Sequence, residues 1–390
     1  MFGSDKVENF LEEYKSIYDK YINFIESEEN IEENFMNLTQ IIVDAKIKDC
    51  QHKLRLFLRM VISIADNHQH CQQFYAKIDQ TLEYFKDDIK KYFLNSEIFS
   101  IFKSNKRILL FLIEEKILTV DEYFAKQIIK YGYIKNDYPQ YFAPEIKPFI
   151  NEEWFPKYNS NSKYYENKWV EDVKKELPDN FLELRKIGEN DSYISKLIRE
   201  DSVEDFIIYV NKNCISRNAT INKSVYETNS FLLKNQFHLS RLIEYAAFFG
   251  SIQIFTFLKN ENVDLTSSLW LNAIHGKNAD IIHILEENHV KLPSTKKQKY
   301  RKCIIESIKC NHNEFANYFL NNFIQDKDEY SNDVIIKSLK YYDFSFLQNE
   351  NINESSFCYL CYFDYYSLVY ILLNGRNIDV NTKIIQNHIF

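Results

Sequence analysis

Residues Arg241–Val263 spell out two short helices folded back on each other, and so small a unit dictates how the rest of the chain must be built. Ala246-Ala247 offers only small side chains, so the first helix can approach its neighbours closely. Gly250 follows, and glycine takes the positive φ of a tight helix-ending turn without steric cost. Ile254, Phe255 and Leu258 lie at i, i+1 and i+4, one apolar stripe along the second helix. A pair this short cannot bury that stripe alone. The unit has to recur, each copy covering the last.

It does recur. A shift of 27 residues sets Ala273, Asp280, Ile281, Leu285 and Val290 on Ala246, Gln253, Ile254, Leu258 and Val263. A shift of 61 gives Ser307, Glu314, Phe315 and Phe319, with Asn311 in the Gly250 slot. Asn is, after glycine, a residue that tolerates a left-handed backbone. A shift of 92 gives Ser338, Tyr342 and Phe346 but puts Glu350 where Leu258 stands. A shift of 114 gives Leu360, Asp364, Leu368, Val369 and Leu372, then Gly375 and Ile378-Asp379-Val380-Asn381. Upstream, Lys196–Val210 repeats the two-helix outline with Ser202 in the Gly250 slot. Ser104–Ile117 looks like the second half of the unit, a degenerate repeat near 97–117.

The first ninety or so residues carry four amphipathic stripes. They run through Phe10, Tyr14, Ile17, Tyr18, Tyr21 and Ile25; then Phe35, Leu38, Ile41 and Ile42; then Leu54, Phe57, Leu58, Val61 and Ile64; then Phe74, Ile78, Leu82, Phe85 and Ile89. Four such helices predict a bundle or stacked hairpins. Five of the six prolines (Pro139, Pro144, Pro148, Pro156 and Pro178) crowd the stretch after Gly132, with Trp154 and Trp169. Proline breaks helices, so an irregular connector is expected there, its aromatics packed on the helices. The expected organisation is therefore a helical region at 1–134, a connector at 135–190 and repeats at 191–390.

The composition supports helices: 6 glycines and 6 prolines in 390 residues leave little material for tight β-turns, while 45% apolar residues supply a core. A net charge of −8 argues against general nucleic-acid binding, which needs a broad basic surface. No basic stretch followed by an apolar core opens the chain, and Ile108–Ile113 is far short of the roughly 20 residues of a membrane span. Seven scattered cysteines fit reduced thiols. A cytoplasmic, monomeric protein without a transmembrane segment is the expectation.

Glu244-Tyr245-Ala246-Ala247-Phe248-Phe249-Gly250 with Ile254–Leu258, and the closing Ile378-Asp379-Val380-Asn381, resemble divergent ankyrin repeats. Tyr226–Leu233, with its Glu-Thr-Asn-Ser-Phe block, Leu269–Gly276 and Ser307–Glu314 are similar more narrowly to a protist-expanded ankyrin family built on a domain of unknown function. The resemblance implies an all-α fold, an ankyrin-type α-solenoid of helix-turn-helix repeats behind the N-terminal helical region. The chain departs from the ankyrin pattern in lacking a Thr-Pro-Leu-His opening. Its repeat intervals of 27, 34, 31 and 22 residues are irregular beside an ankyrin unit of about 33. Asp264–Ser268 is too short for the usual hairpin finger, so Thr266, Ser267 or Ser268 is expected to cap the next helix.

No constellation in the sequence singles out a catalytic residue, a cofactor or a metal. Cys358-Tyr359-Leu360-Cys361 has CxxC spacing without a second pair to complete a zinc site, and buried helical cysteines are expected. His68-Gln69-His70-Cys71 reads as a helix boundary with exposed imidazoles, and Cys310-Asn311-His312 as an inter-helix turn. The one local basic run is Lys291–Lys302, which reads as a solvated inter-repeat loop or as a site for phosphate, membrane or nucleic acid. In an ankyrin array the two positions before the glycine slot line the concave face. Here they hold Phe248-Phe249, His275-Gly276, Lys309-Cys310, Lys340-Tyr341 and Tyr362-Phe363. Such aromatics are either an open binding strip or are covered by the 139–178 stretch or a displaced helix. The expected function is a non-catalytic scaffold for an unknown protein partner, bound through Phe248, Phe249, His275, Lys309, Lys340, Tyr341, Tyr362 and Phe363. An enzyme with a site in the N-terminal half is the rival.

Overall fold

The computed structural model describes residues 2–69, 71, 73–132, 137–150, 173, 176–233, 239–293, 300–323, 328–352 and 354–375. Among the described residues the regular structure is all-helical, with no strand and one isolated bridge between Thr220 and Arg241. The first helices are α1 (Phe2–Glu26), α2 (Ile31–Asp44), α3 (Gln51–Asn67), α4 (Phe74–Tyr84), α5 (Lys86–Tyr92), α6 (Asn95–Phe102), α7 (Lys106–Glu114) and α8 (Glu122–Gly132). Short helices α9 (Tyr138–Tyr141) and α10 (Ala143–Ile146) follow, then α11 (Phe181–Ile187), α12 (Tyr193–Arg199), α13 (Val203–Lys212) and α14 (Ser230–Leu233). The C-terminal part holds α15 (Leu242–Phe249), α16 (Ile252–Asn260), α17 (Leu269–His275), α18 (Ala279–Glu287) and α19 (Arg301–Lys309). It continues with α20 (Asn313–Asn322), α21 (Asp328–Tyr341), α22 (Glu354–Tyr362) and α23 (Tyr366–Gly375).

The repeated pairs share one backbone device. The inner helix of each pair ends at a residue of positive φ: Asp201 at 47°, Gly250 at 70°, Lys277 at 47°, Asn311 at 63°, Tyr342 at 58° and Asp364 at 63°. In four of these pairs the amide of the next residue reaches back to the carbonyl in the Ala246 slot. These bonds run from Ser251 to Ala246 (2.9 Å), His312 to Ser307 (2.9 Å), Asp343 to Ser338 (3.0 Å) and Tyr365 to Leu360 (3.0 Å). That bond satisfies an orphan carbonyl and turns the chain back on itself. Shifts of 27, 61, 92 and 114 thus all land on a left-handed residue. Upstream the register moves by one: Asp201, not Ser202, holds the slot, and Ser202 donates to Leu197 (3.0 Å) as Ser251 does to Ala246.

Glycine is required where two inner helices meet. A Cβ on Gly250 would stand 2.5 Å from the Gly276 carbonyl oxygen, and one on Gly276 would stand 2.2 Å from that of Ala247. Gly276 itself has ordinary helical φ, so only this close approach demands glycine there. Inner helices then stack in order, α15 on α17, α17 on α19, α19 on α21 and α21 on α22, while α16 packs on α13 and α18. After Tyr342 the expected outer helix is absent. A 3₁₀ turn at Phe344–Phe346 takes its place, and α1 packs on that turn and on α23, with Tyr14 stacked on Phe344 at 5.3 Å. Of the three candidates to cap α17, Ser268 holds the position but makes no cap bond; its hydroxyl donates to Glu244 instead.

The described chain divides into two compact units, each made of segments distant in sequence. One joins residues 1–78, 197–221 and 240–390; the other joins 79–196 and 222–239. In the first, α1 to α3 are no separate bundle: α3 packs on α21 and α23 as well. Their polar tips meet the repeat turns: Asn311 and Asn313 donate to the Tyr18 hydroxyl, Ser63 donates to the Tyr341 carbonyl, and Arg59 pairs with Asp364 at 3.0 Å. Lys77 is buried and donates to the carbonyls of Ile25 (2.6 Å) and Ser27 (2.5 Å) at the end of α1, where a cation suits the helix dipole.

In the second unit the described connector residues pack on helices as expected. Tyr138, Tyr141 and Phe142 are buried and Phe142 meets Phe124 edge-on. Asp79 and Glu145 are each held bidentately, by Arg107 (2.7 and 2.6 Å) and Arg185 (2.8 and 2.9 Å). Burial raises the Asp79 carboxyl against the pull of Arg107. The Glu227-Thr228-Asn229 block is a buried polar knot: Glu227 accepts from the amides of Thr228 and Asn229, and Thr228 donates to the Gly188 carbonyl at 2.7 Å. Pro156, Trp154 and Trp169 lie outside the described residues.

Two stability tests follow from these contacts. Gly276→Ala should cost about 1–3 kcal/mol in urea unfolding, because its methyl meets backbone that cannot yield. An Ala variant as stable as the wild type would contradict the close approach. Asp343, capping the 3₁₀ turn at Ser345, is fully buried, and loss of water pushes its carboxyl up to about 6, against hydrogen bonds from Ser345 and Asn313. A raised carboxyl pKa means that the folded state binds the proton more tightly, so stability is lost as pH rises from the unfolded value to about 6. Asp343→Asn should therefore be about 1–3 kcal/mol more stable than wild type near pH 8, the gap closing near pH 4. A gap independent of pH would refute it.

Candidate functional site

One position of the repeat, the penultimate residue before the left-handed turn, holds Phe248, His275, Lys309, Lys340 and Tyr362 in succession. Helix geometry puts it at the same place on each inner helix, so the row runs along the stack. Its exposure changes along the way. Phe248 is 1% exposed, and His275 and Lys309 are buried as well; Lys340 is half-buried and Tyr362 is 60% exposed. The following position holds half-buried Phe249, Tyr341 and Phe363. An open strip running the length of the repeats is thus not what these residues make. At the Phe248 end they are packing.

The buried part is an ordered chain of contacts. The Phe248 ring stacks on His275 at 5.0 Å and 27°, and meets Phe249 edge-on at 4.9 Å. His275 Nε2 lies 2.8 Å from Glu306 Oε1, and Lys309 Nζ lies 2.7 Å from the same oxygen. Glu306 is the member that sequence reasoning missed; it stands one helical turn before Lys309, an i,i+3 spacing that could have flagged the pair. Further on, burial, then Lys337 and Lys309, hold the Lys340 ammonium below its usual range, while burial raises the Tyr341 phenol.

The exposed part lies on α22 and α23. Tyr362, Tyr366 and Tyr370 recur every four residues and are 60%, 51% and 61% exposed. Tyr366 and Tyr370 line a groove of about 350 Å³ against Phe10 and Glu13 of α1 and His52 and Lys53 of α3. His52 stacks on Tyr366 at 3.7 Å, and Lys53 pairs with Glu13 at 2.8 Å. Tyr366 and Tyr370 were not singled out by the repeat register, because they belong to an outer helix whose other side buries Leu368 and Leu372.

The other candidates fall out as follows. Of the basic run, 294–299 lie outside the described residues, and Arg301 is held by Asp333 at 2.5 Å. Cys358 is half-buried and Cys361 exposed, which corrects the expectation of buried thiols; the inward side of α22 is taken by Phe357 and Leu360. His70 lies outside the described residues. His68 is buried, not exposed, and its ring meets that of His312 at 5.2 Å. With Glu26 these two offer ligand atoms that all lie within 4.8 Å of one another. The sequence places them at 26, 68 and 312, and no spacing rule could join them.

Removing one partner from a buried ion pair strands the other charge. Glu306→Ala should cost about 3–5 kcal/mol in denaturant unfolding, and Glu306→Leu/Lys309→Met distinctly less. A double variant worse than the single would show that the pair stabilises in its own right. Comparison with protein-family models, with curated proteins and with solved structures finds no match to this chain.

Proposed function

We propose that this chain is a non-catalytic protein-interaction scaffold, a divergent ankyrin-type α-solenoid that presents a rigid aromatic surface to a protein partner. What supports the repeat reading is the left-handed residue recurring at each inner-helix end, with the corresponding carbonyl satisfied behind all of them but Lys277. What supports the binding reading is the aromatic edge of Tyr362, Tyr366 and Tyr370 beside the groove of α1, α3 and α23. Tyrosine brings large contact area with few rotatable bonds and a hydroxyl that tolerates water before binding. Such residues, grouped at the junction of α22 and α23 and bordered by the Lys53–Glu13 ion pair, are the makings of an interface hot spot. Of the residues in the inner-helix strip, Tyr362 belongs to this edge and Phe363 adjoins it, its ring meeting that of Tyr362 edge-on at 5.0 Å. Phe248, His275 and Lys309 are interior and drop out of it.

Affinity capture of the full chain, scored against Tyr366→Ala/Tyr370→Ala and a Phe249→Ala control, tests the reading. The double variant should lose the specific partners that wild type and control retain, with an unchanged unfolding transition. A partner set unaffected by the double variant would remove the α23 edge as the interface.

A further inference from the structure

We propose that Glu26, His68 and His312 form a binding site for one zinc-type divalent cation, joining the ends of α1 and α3 to the start of α20. The three ligand atoms already converge within 4.8 Å, from segments 42 and 244 residues apart (68 − 26 and 312 − 68). His68 Nδ1 lies 2.8 Å from the Cys310 carbonyl oxygen, and His312 Nδ1 lies 2.7 Å from that of Ile274. A carbonyl only accepts, so each ring must carry its proton on Nδ1 and turn an Nε2 lone pair to the other side. This is the arrangement in which metal-binding imidazoles are held, the remote nitrogen donating to a backbone carbonyl that fixes the tautomer.

The second observation is an unmet acceptor. His312 is 1% exposed, and its Nε2 has no hydrogen-bond partner. Leaving such an atom dry costs about 1–3 kcal/mol, and a cation would satisfy it. The distances fit a small ion: metal–ligand bonds of about 2.0–2.2 Å place tetrahedral neighbours about 3.3–3.5 Å apart. His68 Nε2 and Glu26 Oε1 stand 3.4 Å apart. Glu26 is half-buried. Two imidazoles and one carboxylate suit zinc and its neighbours rather than magnesium or calcium, and leave the fourth position to water.

Lys277 is the built-in competitor. Its Nζ lies 2.7 Å from Glu26 Oε1 and 3.3 Å from Glu314 Oε1, so it can yield Glu26 to a metal and keep Glu314. This makes an opposed pair of substitutions near the surface, where folding is least at risk. The full chain, stripped with a chelator, is titrated calorimetrically with zinc alone, and circular dichroism confirms the fold of each variant. Wild type should bind one equivalent; Glu26→Gln should weaken binding roughly tenfold or more, and Lys277→Gln should tighten it. Cobalt in place of zinc should give the intense visible bands of four-coordination, lost in His312→Asn. Absence of saturable binding in wild type, or equal affinity in Glu26→Gln and wild type, would overturn the site. Neither outcome depends on the α23 edge.

Discussion

Everything in the repeat-bearing unit depends on one residue per helix pair adopting a left-handed backbone. That residue lets the following amide reach back to the carbonyl in the Ala246 slot, and the second helix then returns along the first. An L-residue adopts this conformation at a cost of roughly 1–2 kcal/mol, which the recovered hydrogen bond and the packing of the returning helix offset. The cost explains why the slot accepts Asp201, Lys277, Asn311, Tyr342 and Asp364, residues with nothing else in common. At Gly250 a second constraint applies, because the Gly276 carbonyl occupies the place of a Cβ. Only there is the identity of the residue dictated.

The turns made in this way are also what the N-terminal helices recognise. Tyr18, Ser63 and Arg59 meet Asn311, Tyr341 and Asp364, so α1 and α3 are anchored on polar turn atoms as well as on apolar side chains. Where the pair after Tyr342 lacks its outer helix, α1 packs on the 3₁₀ turn that remains. The missing element and the added one belong together. The same packing brings Glu26 and His68 beside the turn that carries His312, and sets α1 and α3 as walls of the groove beside α23.

The row of residues before each turn shows how one repeat position can serve two ends. At Phe248, His275 and Lys309 it is interior, an aromatic stack continued by an ion pair; at Tyr362 it is surface. The buried Glu306 carboxylate is matched by both Lys309 and His275, so a change at one of them leaves a charge less well met.

Much was legible in the sequence because it is local. Periodicity in Phe10–Ile25 or Leu54–Ile64 reports a helix and its buried face, and Gly250 and Asn311 reported two of the left-handed turns, since both follow from a few neighbouring residues. Even there, the helix expected after Tyr342 failed to form, and Asp201 rather than Ser202 took the turn. What only the tertiary structure decided was burial and company. Phe248 and Tyr362 occupy the same slot, yet one is enclosed and the other open, because exposure depends on what stacks above and not on the helix itself. The convergence of Glu26, His68 and His312 is of the same kind: contacts between residues 26, 68 and 312 are set by how helices dock, and no pattern along the chain encodes them.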